Sequence, residues 1–151
     1  MSVREAIEAD LPRLLELMGD FHRASTQRSM PLNLAKIEGM LRECIANPMA
    51  GAWVWAPEGA GVQGFYLGRV NDWWFTDELI AFDIAVFIDE AHRGSGAAGQ
   101  LFETFKAWAK AQGARNVFPG ISTGVGLERA ARFYEAHGMT KVGYVFHGRL
   151  A

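Results

Sequence analysis

Asp89-Glu90-Ala91-His92-Arg93-Gly94-Ser95-Gly96-Ala97-Ala98 separates two segments with different periodicities. Before it lies LIAFDIAVFI, residues 79–88, almost wholly apolar, as expected for a central strand covered on both faces. After it lies GQLFETFKAWAKAQG, where Leu101, Phe105, Trp108 and Ala109 form a helical stripe that Gly113 stops. A strand–turn–helix junction leaves N–H groups free at the helix start, where the helix dipole adds positive potential. Gly94 and Gly96 clear side chains from those N–H groups, and Arg93 adds a forked cation. The junction therefore suits a phosphate or pyrophosphate. It lacks the Gly-Lys-Ser/Thr of a P-loop and the third glycine of a dinucleotide fingerprint. A glycine pair alone fits a simple tight turn equally well.

Residues 2–6 suit a short first strand, and Asp10 suits an N-cap before a helix reaching about Ala24. STQRSMPLN (25–33) is a loop. Asn33 is placed to cap a second helix that Asn47-Pro48 stops. AWVWA (52–56) and VQGFYLGRV (62–70) form a hairpin around PEGAG (57–61), and NDWWFTDE (71–78) is a polar interruption. ARNVFPGIS (114–122) is a short strand broken by Pro119-Gly120, LERAARFYEAHG (127–138) a helix, and KVGYVFHGRLA (141–151) a closing strand. The order β-α-α-β-β-β-α-β-α-β implies an α+β domain with a mixed sheet.

Composition narrows the classes. The chain has 151 residues, 50% hydrophobic and 21% charged, which suits one globular domain spanning residues 1–151. No apolar run reaches the ~20 residues needed to cross a bilayer. No signal-peptide pattern is visible, so the cytoplasm is the expected compartment. The lone Cys44 excludes an internal disulfide and a cysteine-rich metal site, and His22, His92, His137 and His147 lack metal-ligand spacing, so no metal is expected. A net charge of −2 gives no indication of nucleic-acid binding. Its distribution is uneven: residues 1–92 carry 7 Lys/Arg and 14 Asp/Glu, whereas residues 93–151 carry 8 and 3. A basic half suits an anionic ligand and an acidic half a cationic one, although charge also drifts along sequences without function.

Arg93, Gly96 and Ala98 form Arg-x-x-Gly-x-Ala at the start of a helix. The pattern resembles the acetyl-CoA signature of the GNAT N-acetyltransferase superfamily. VREAIEADLPRLLELM (3–18) is similar to that family's opening strand and helix, and ERAARFYEAHGM (128–139) to its late helix. The resemblance implies a mixed central sheet flanked by about four helices. Two parallel strands would splay apart to form the cleft for acetyl-CoA, the co-substrate. It places the pyrophosphate on Gly94, Ser95, Gly96, Ala97 and Ala98 with Arg93 nearby, and the pantetheine arm along Val86, Phe87 and Ile88. Pro119 fits independently, because proline cannot donate to a ladder and a strand holding it is open there.

The implied reaction is transfer of an acetyl group to a primary amine of a small molecule or peptide, by direct attack in a ternary complex. The resemblance makes Tyr134 the general acid; by spacing alone it is an interior aromatic. Asp83 is a candidate base, because a carboxylate inside an apolar strand is costly unless partnered or functional. A structural partner, such as a nearby arginine, accounts for it equally well. Simple alternation puts Asp83 on the face opposite Ile84, Val86 and Ile88. Leu127 departs from the asparagine frequent in the family, leaving Ser122 or Thr123 to replace one cofactor-side hydrogen bond. Trp53, Trp55, Phe65, Tyr66, Trp73, Trp74 and Phe75 suit an acceptor-side wall, a core or a dimer surface. A homodimer is common among such relatives. Two other readings stay open: a non-catalytic acyl-CoA-binding or sensing module, and a different phosphate-ligand protein.

Overall fold

The computed structural model describes residues 2–150. Five strands form one sheet in the order β1 (Val3–Glu5), β2 (Ala50–Trp55), β3 (Gly64–Trp73), β4 (Thr76–Ile88) and β5 (Asn116–Phe118). Neighbours among the first four are antiparallel, and β5 runs parallel to β4. Four helices accompany them: α1 (Leu11–Ala24), α2 (Leu34–Ala46), α3 (Ala97–Ala111) and α4 (Leu127–Ala136). The mixed sheet and four helices are the α+β architecture expected from the sequence. Among the described residues no helix is long and apolar enough to cross a membrane.

The pleat explains the two cores. On one face Leu14, Leu17 and Leu41 from α1 and α2 pack on Val54, Phe65, Leu67 and Phe87. On the other, Leu101, Phe102 and Phe105 of α3 pack on Trp53, Trp55, Tyr66 and Ala81. Phe105 stacks on Tyr66 with centroids 4.6 Å apart. That approach requires Gly68, where an added Cβ would lie 2.3 Å from Phe105 Cε2. Gly68→Val is expected to destabilise the fold by about 3 kcal/mol through overpacking. Thermal unfolding should show a Tm lowered by roughly 6–12 °C.

Several local expectations hold in detail, and others are corrected. Asn33 caps α2 by accepting from Lys36 N–H at 3.0 Å. Asp10 stands at the α1 N-cap position but caps nothing there. Its carboxylate takes Ile7 N–H at 2.9 Å and both terminal nitrogens of Arg4, and the Arg4 hydrogen bonds hold it below the usual carboxylate range. The stretch 71–78 is a tight hairpin rather than an interruption: β3 continues to Trp73 and pairs it with Thr76. Residues 141–150 are not a strand, and Ala151 lies outside the described residues. Their alternation is strand-like, but a strand needs a ladder partner, and no described segment of the chain pairs with them.

Two irregularities in β4 create the site. Leu67 pairs with Ala85 and Gly68 with Asp83, so Ile84 is unopposed and forms a β-bulge. The extra residue reverses the alternation beyond it. Asp83 therefore shares a face with Tyr66, Val86 and Ile88, contrary to simple alternation. The second irregularity is the short β4–β5 ladder. It joins Ile80–Phe82 to Asn116–Phe118 and stops where Pro119 offers no N–H. Gly120 N–H turns instead to Asp83 Oδ1 at 2.9 Å. Beyond that point the two strands separate.

Candidate functional site

The separation opens a cavity of about 560 Å³. Its walls are β4 from Asp83 to Ile88, the turn from His92 to Gly96, the start of α3, the segment 120–126 and one side of α4. Every residue singled out from the sequence as cofactor-binding lines it: Val86, Phe87, Ile88, Arg93, Gly94, Ser95, Gly96, Ala97 and Ala98. So do Asp83 and Tyr134.

At the turn, Gly94 and Gly96 have φ of 82° and 85°, a region that disfavours any residue with a Cβ. Gly96 is the N-cap of α3. The N–H groups of Gly96, Ala97, Ala98 and Gly99 have no acceptor among the described residues. Ser95 N–H is less free, because it donates to His92 O at 3.3 Å within the turn. Arg93 Nε donates to Ile88 O at 3.2 Å, and its guanidinium lies 5.4 Å from the Phe87 ring centroid. The cation is thus fixed to the end of β4, beside four free amides at a helix start. This is a cradle for an anion with several oxygens. Past Phe82, β4 also has no β5 partner along its cleft edge, which suits a ligand arm carrying amides.

Farther in, Asp83 and Tyr134 both line the cavity, and the Asp83 charge acts on the hydroxyls of Tyr134 and Tyr66. Burial pushes the Asp83 carboxyl up to about 6, although the hydrogen bond from Gly120 N–H opposes the rise. Burial and then the Asp83 charge raise the Tyr134 phenol above its ordinary value. The Tyr66 hydroxyl is buried beside that of Tyr134, and burial, then the Tyr134 and Asp83 charges, raise it. Among the described residues no arginine partners Asp83; its hydrogen-bond partner is Gly120 N–H. The arrangement supplies a proton acceptor titrating near 6 and a proton donor that stays protonated through the neutral range.

The structure adds residues that the sequence reading did not select. Arg129 on α4 lines the cavity beside the glycine turn; a Cβ built on Gly94 would lie 3.5 Å from its Nη2. Phe21 of α1 closes the opposite side by stacking on Phe87 at 5.2 Å. Only the basic balance of residues 93–151 hinted at Arg129, and nothing local marked Phe21. Ser122 and Thr123 line the cavity, while Leu127 does not. Their segment is clasped by the loop after α1: Thr26 N–H donates to Thr123 O at 2.8 Å and Gln27 Nε2 to Ser122 O at 2.9 Å. None of the seven hairpin-region aromatics lines the cavity. Trp53, Trp55, Phe65 and Tyr66 are core, and Trp73, Trp74 and Phe75 sit at the β3–β4 hairpin. Among the described residues no cluster of three or more His, Cys, Asp or Glu is placed to hold a metal.

The same fold is found in solved structures. A mutant of the BH1408 protein from Bacillus halodurans superposes with a TM-score of 0.80 at 17% identity, over 100% of both chains. AAC(6')-Iy, in complex with the bisubstrate analogue CoA-S-monomethyl-acetylneamine, gives 0.75 at 16% identity, over 99% of this chain and 97% of that one. The aminoglycoside acetyltransferase meta-AAC0020 from an uncultured soil metagenomic sample, in complex with sisomicin, gives 0.71 at 15% identity, over 99% and 94%. No curated protein matches the chain. The sequence profile of the Acetyltransferase (GNAT) family matches residues 11–139, and the chain belongs to that family.

Proposed function

We propose that this protein transfers the acetyl group of acetyl-CoA to a primary amine of a small molecule or peptide, by direct attack within a ternary complex. One observation carries the reading. A single cavity holds, in sequence, the free amides of the glycine turn, the open edge of β4, and the Asp83–Tyr134 pair. The free amides of residues 96–99, with Arg93 and Arg129, suit the pyrophosphate. The β4 edge from Val86 to Ile88 suits the pantetheine amides. Bound acetyl-CoA supplies a thioester carbonyl, which a β4 backbone N–H in the cleft would polarise. The cavity draws on elements from α1 to α4, which supports the whole chain acting as one catalytic domain. An aminoglycoside acetyltransferase among the similar structures supports a small-molecule acceptor.

Asp83 takes the proton that an ammonium acceptor must lose before it can attack. At about 6, its carboxyl lies some two units nearer an amine than an ordinary carboxylate, about a hundredfold in proton affinity. Tyr134 returns a proton to the departing thiolate. The two steps are coupled. The Asp83 charge helps hold the Tyr134 phenol high, so protonating Asp83 removes that charge and makes Tyr134 a better acid when the thiolate forms.

The reading is tested by calorimetric titration with acetyl-CoA and, separately, with a dinucleotide, followed by a primary-amine panel monitored by thiol release. Binding of acetyl-CoA alone and turnover on at least one amine are expected; absence of acetyl-CoA binding overturns the reading. Arg129→Ala should weaken acetyl-CoA binding by about tenfold, since a hydrogen bond to a charged group contributes roughly 1.5–3 kcal/mol. It should leave affinity for the acceptor amine nearly unchanged.

A further inference from the structure

Among the described residues Tyr66 is the largest side chain that the fold encloses completely, at 1% exposure, and it carries a hydroxyl. A buried hydroxyl costs stability unless it is hydrogen-bonded, and phenylalanine fills the same space without that cost. The Tyr66 ring stacks on Phe105 at 4.6 Å and tilts against Phe102 at 6.2 Å, so α3 meets it with hydrocarbon. Polar company comes from the other two sides. On β4, Asp83 opposes Gly68, two residues beyond Tyr66 on β3, so the carboxylate is a diagonal neighbour on the same face. On α4, Tyr134 meets Phe102 edge-on at 5.4 Å, and the two tyrosines thus share that ring as a common neighbour.

The two hydroxyls act on one another. Burial, and then the Tyr134 charge, raise the Tyr66 phenol. Burial and the Asp83 charge raise Tyr134, and hydrogen bonding from Tyr66 opposes that rise. The contact falls short of full hydrogen-bonding geometry. Catalytic hydrogen bonds commonly tighten only in the complex with substrate. Its direction follows from counting protons. Each hydroxyl has one proton and two lone pairs. If Tyr134 donated to Tyr66, its proton would turn from the cavity, and the Tyr66 proton would be left among phenylalanine rings. The reverse arrangement satisfies both groups. Tyr66 donates to Tyr134 Oη, and the Tyr134 proton is free for the cavity, which Tyr134 lines and Tyr66 does not.

We infer that Tyr66 is a positioning residue for the general acid: it donates to Tyr134 Oη, aims the Tyr134 proton at the departing sulfur, and stabilises the phenolate that this proton leaves. The inference rests on the acetyl-transfer reading for the step it serves. In that step the carbon–sulfur bond breaks, its electron pair goes to sulfur, and sulfur takes the Tyr134 proton. Tyr66 keeps its own proton throughout. The Tyr134 phenolate is then reprotonated by water at the cavity mouth.

A double-mutant cycle with Tyr66→Phe and Tyr134→Phe tests this. Tyr66→Phe keeps the ring on Phe105 and removes only the hydroxyl. It should lower kcat by about tenfold, as expected for one hydrogen bond to a developing charge, with KM for acetyl-CoA within about twofold. In the Tyr134→Phe background the same substitution should change kcat by less than about twofold, because the group it positions is gone. Unchanged kcat in Tyr66→Phe, or an equal loss in both backgrounds, overturns the inference. Unchanged kcat in Tyr134→Phe alone removes the acid itself, and the inference with it. A second measurement needs no turnover. The chain has 3 tyrosines, so carbon-13 at tyrosine Cζ gives a spectrum simple enough to assign by substitution. The Tyr66 resonance, identified by its loss in Tyr66→Phe, should shift in Tyr134→Phe as its hydrogen-bond acceptor disappears. A Tyr66 resonance that stays in place shows that the hydroxyls are not paired and refutes the positioning role.

Discussion

Tyr134→Phe should lower kcat by about 10²- to 10³-fold while leaving acetyl-CoA affinity within twofold. The range is that of losing one general acid. The ring makes an edge-on contact with Phe102 at 5.4 Å and another with Phe133 at 5.2 Å, and phenylalanine keeps both. Only the hydroxyl is lost, so stability should change little and binding at the glycine turn should persist. Steady-state kinetics with calorimetry separates the effects: a fall in kcat at constant affinity is the signature of an interaction made in the transition state. Unchanged kcat would remove Tyr134 from the chemistry and return it to the apolar cluster around Phe102. Activity lost together with binding would make it a structural residue of the cleft.

Asp83→Asn should cut kcat/KM by about 10²-fold at neutral pH and abolish the acid limb of its pH profile. In the parent protein that limb should lie near pH 6, activity falling as the pH drops through the Asp83 value and the base becomes protonated. The same substitution should stabilise the fold. Burial holds the folded-state value above that of the unfolded chain, so the folded state binds more protons, and the ionised carboxylate weakens the fold at neutral pH. This destabilisation diminishes as the pH falls through about 6 and vanishes below the ordinary carboxylate range. Asparagine keeps an oxygen to accept Gly120 N–H and carries no charge. Allowing for the solvent that reaches Asp83 through the cavity, the gain is about 1–2 kcal/mol. That corresponds to a Tm higher by roughly 3–6 °C at pH 7.5. Unaltered activity in a stabilised variant would leave the base to some other group.

What could be read in the sequence was what neighbouring residues decide. The glycine turn, Arg93 and the start of α3 are specified within ten consecutive residues, and the cavity receives them as expected. Pro119 marked the end of β5, because a missing N–H acts wherever the strand pairs. Asn33 capped its helix by the same local logic. The face of Asp83 was out of reach, since it depends on which β3 residue opposes each β4 residue. Gly68 and Asp83 are 15 positions apart, and nothing in LIAFDIAVFI distinguishes Ile84 as unopposed. Arg129 enters the cavity only because α4 packs beside the glycine turn. The closing segment had the right alternation and no ladder partner among the described residues, a distinction that periodicity does not carry.

The bulge at Ile84 acts as a phase slip in a wave of period two. On one side of it the strand keeps the rhythm that buries Ala81 against α3. On the other it keeps the opposite rhythm, so that Val86 and Ile88 fall on the same side as Asp83. Pairing register, rather than residue type, therefore decides whether the carboxylate points toward Tyr134 or toward the α1–α2 core. The same residues paired without the slip would retain the glycine turn and the arginines. Their acid and base would lie on opposite sides of the sheet.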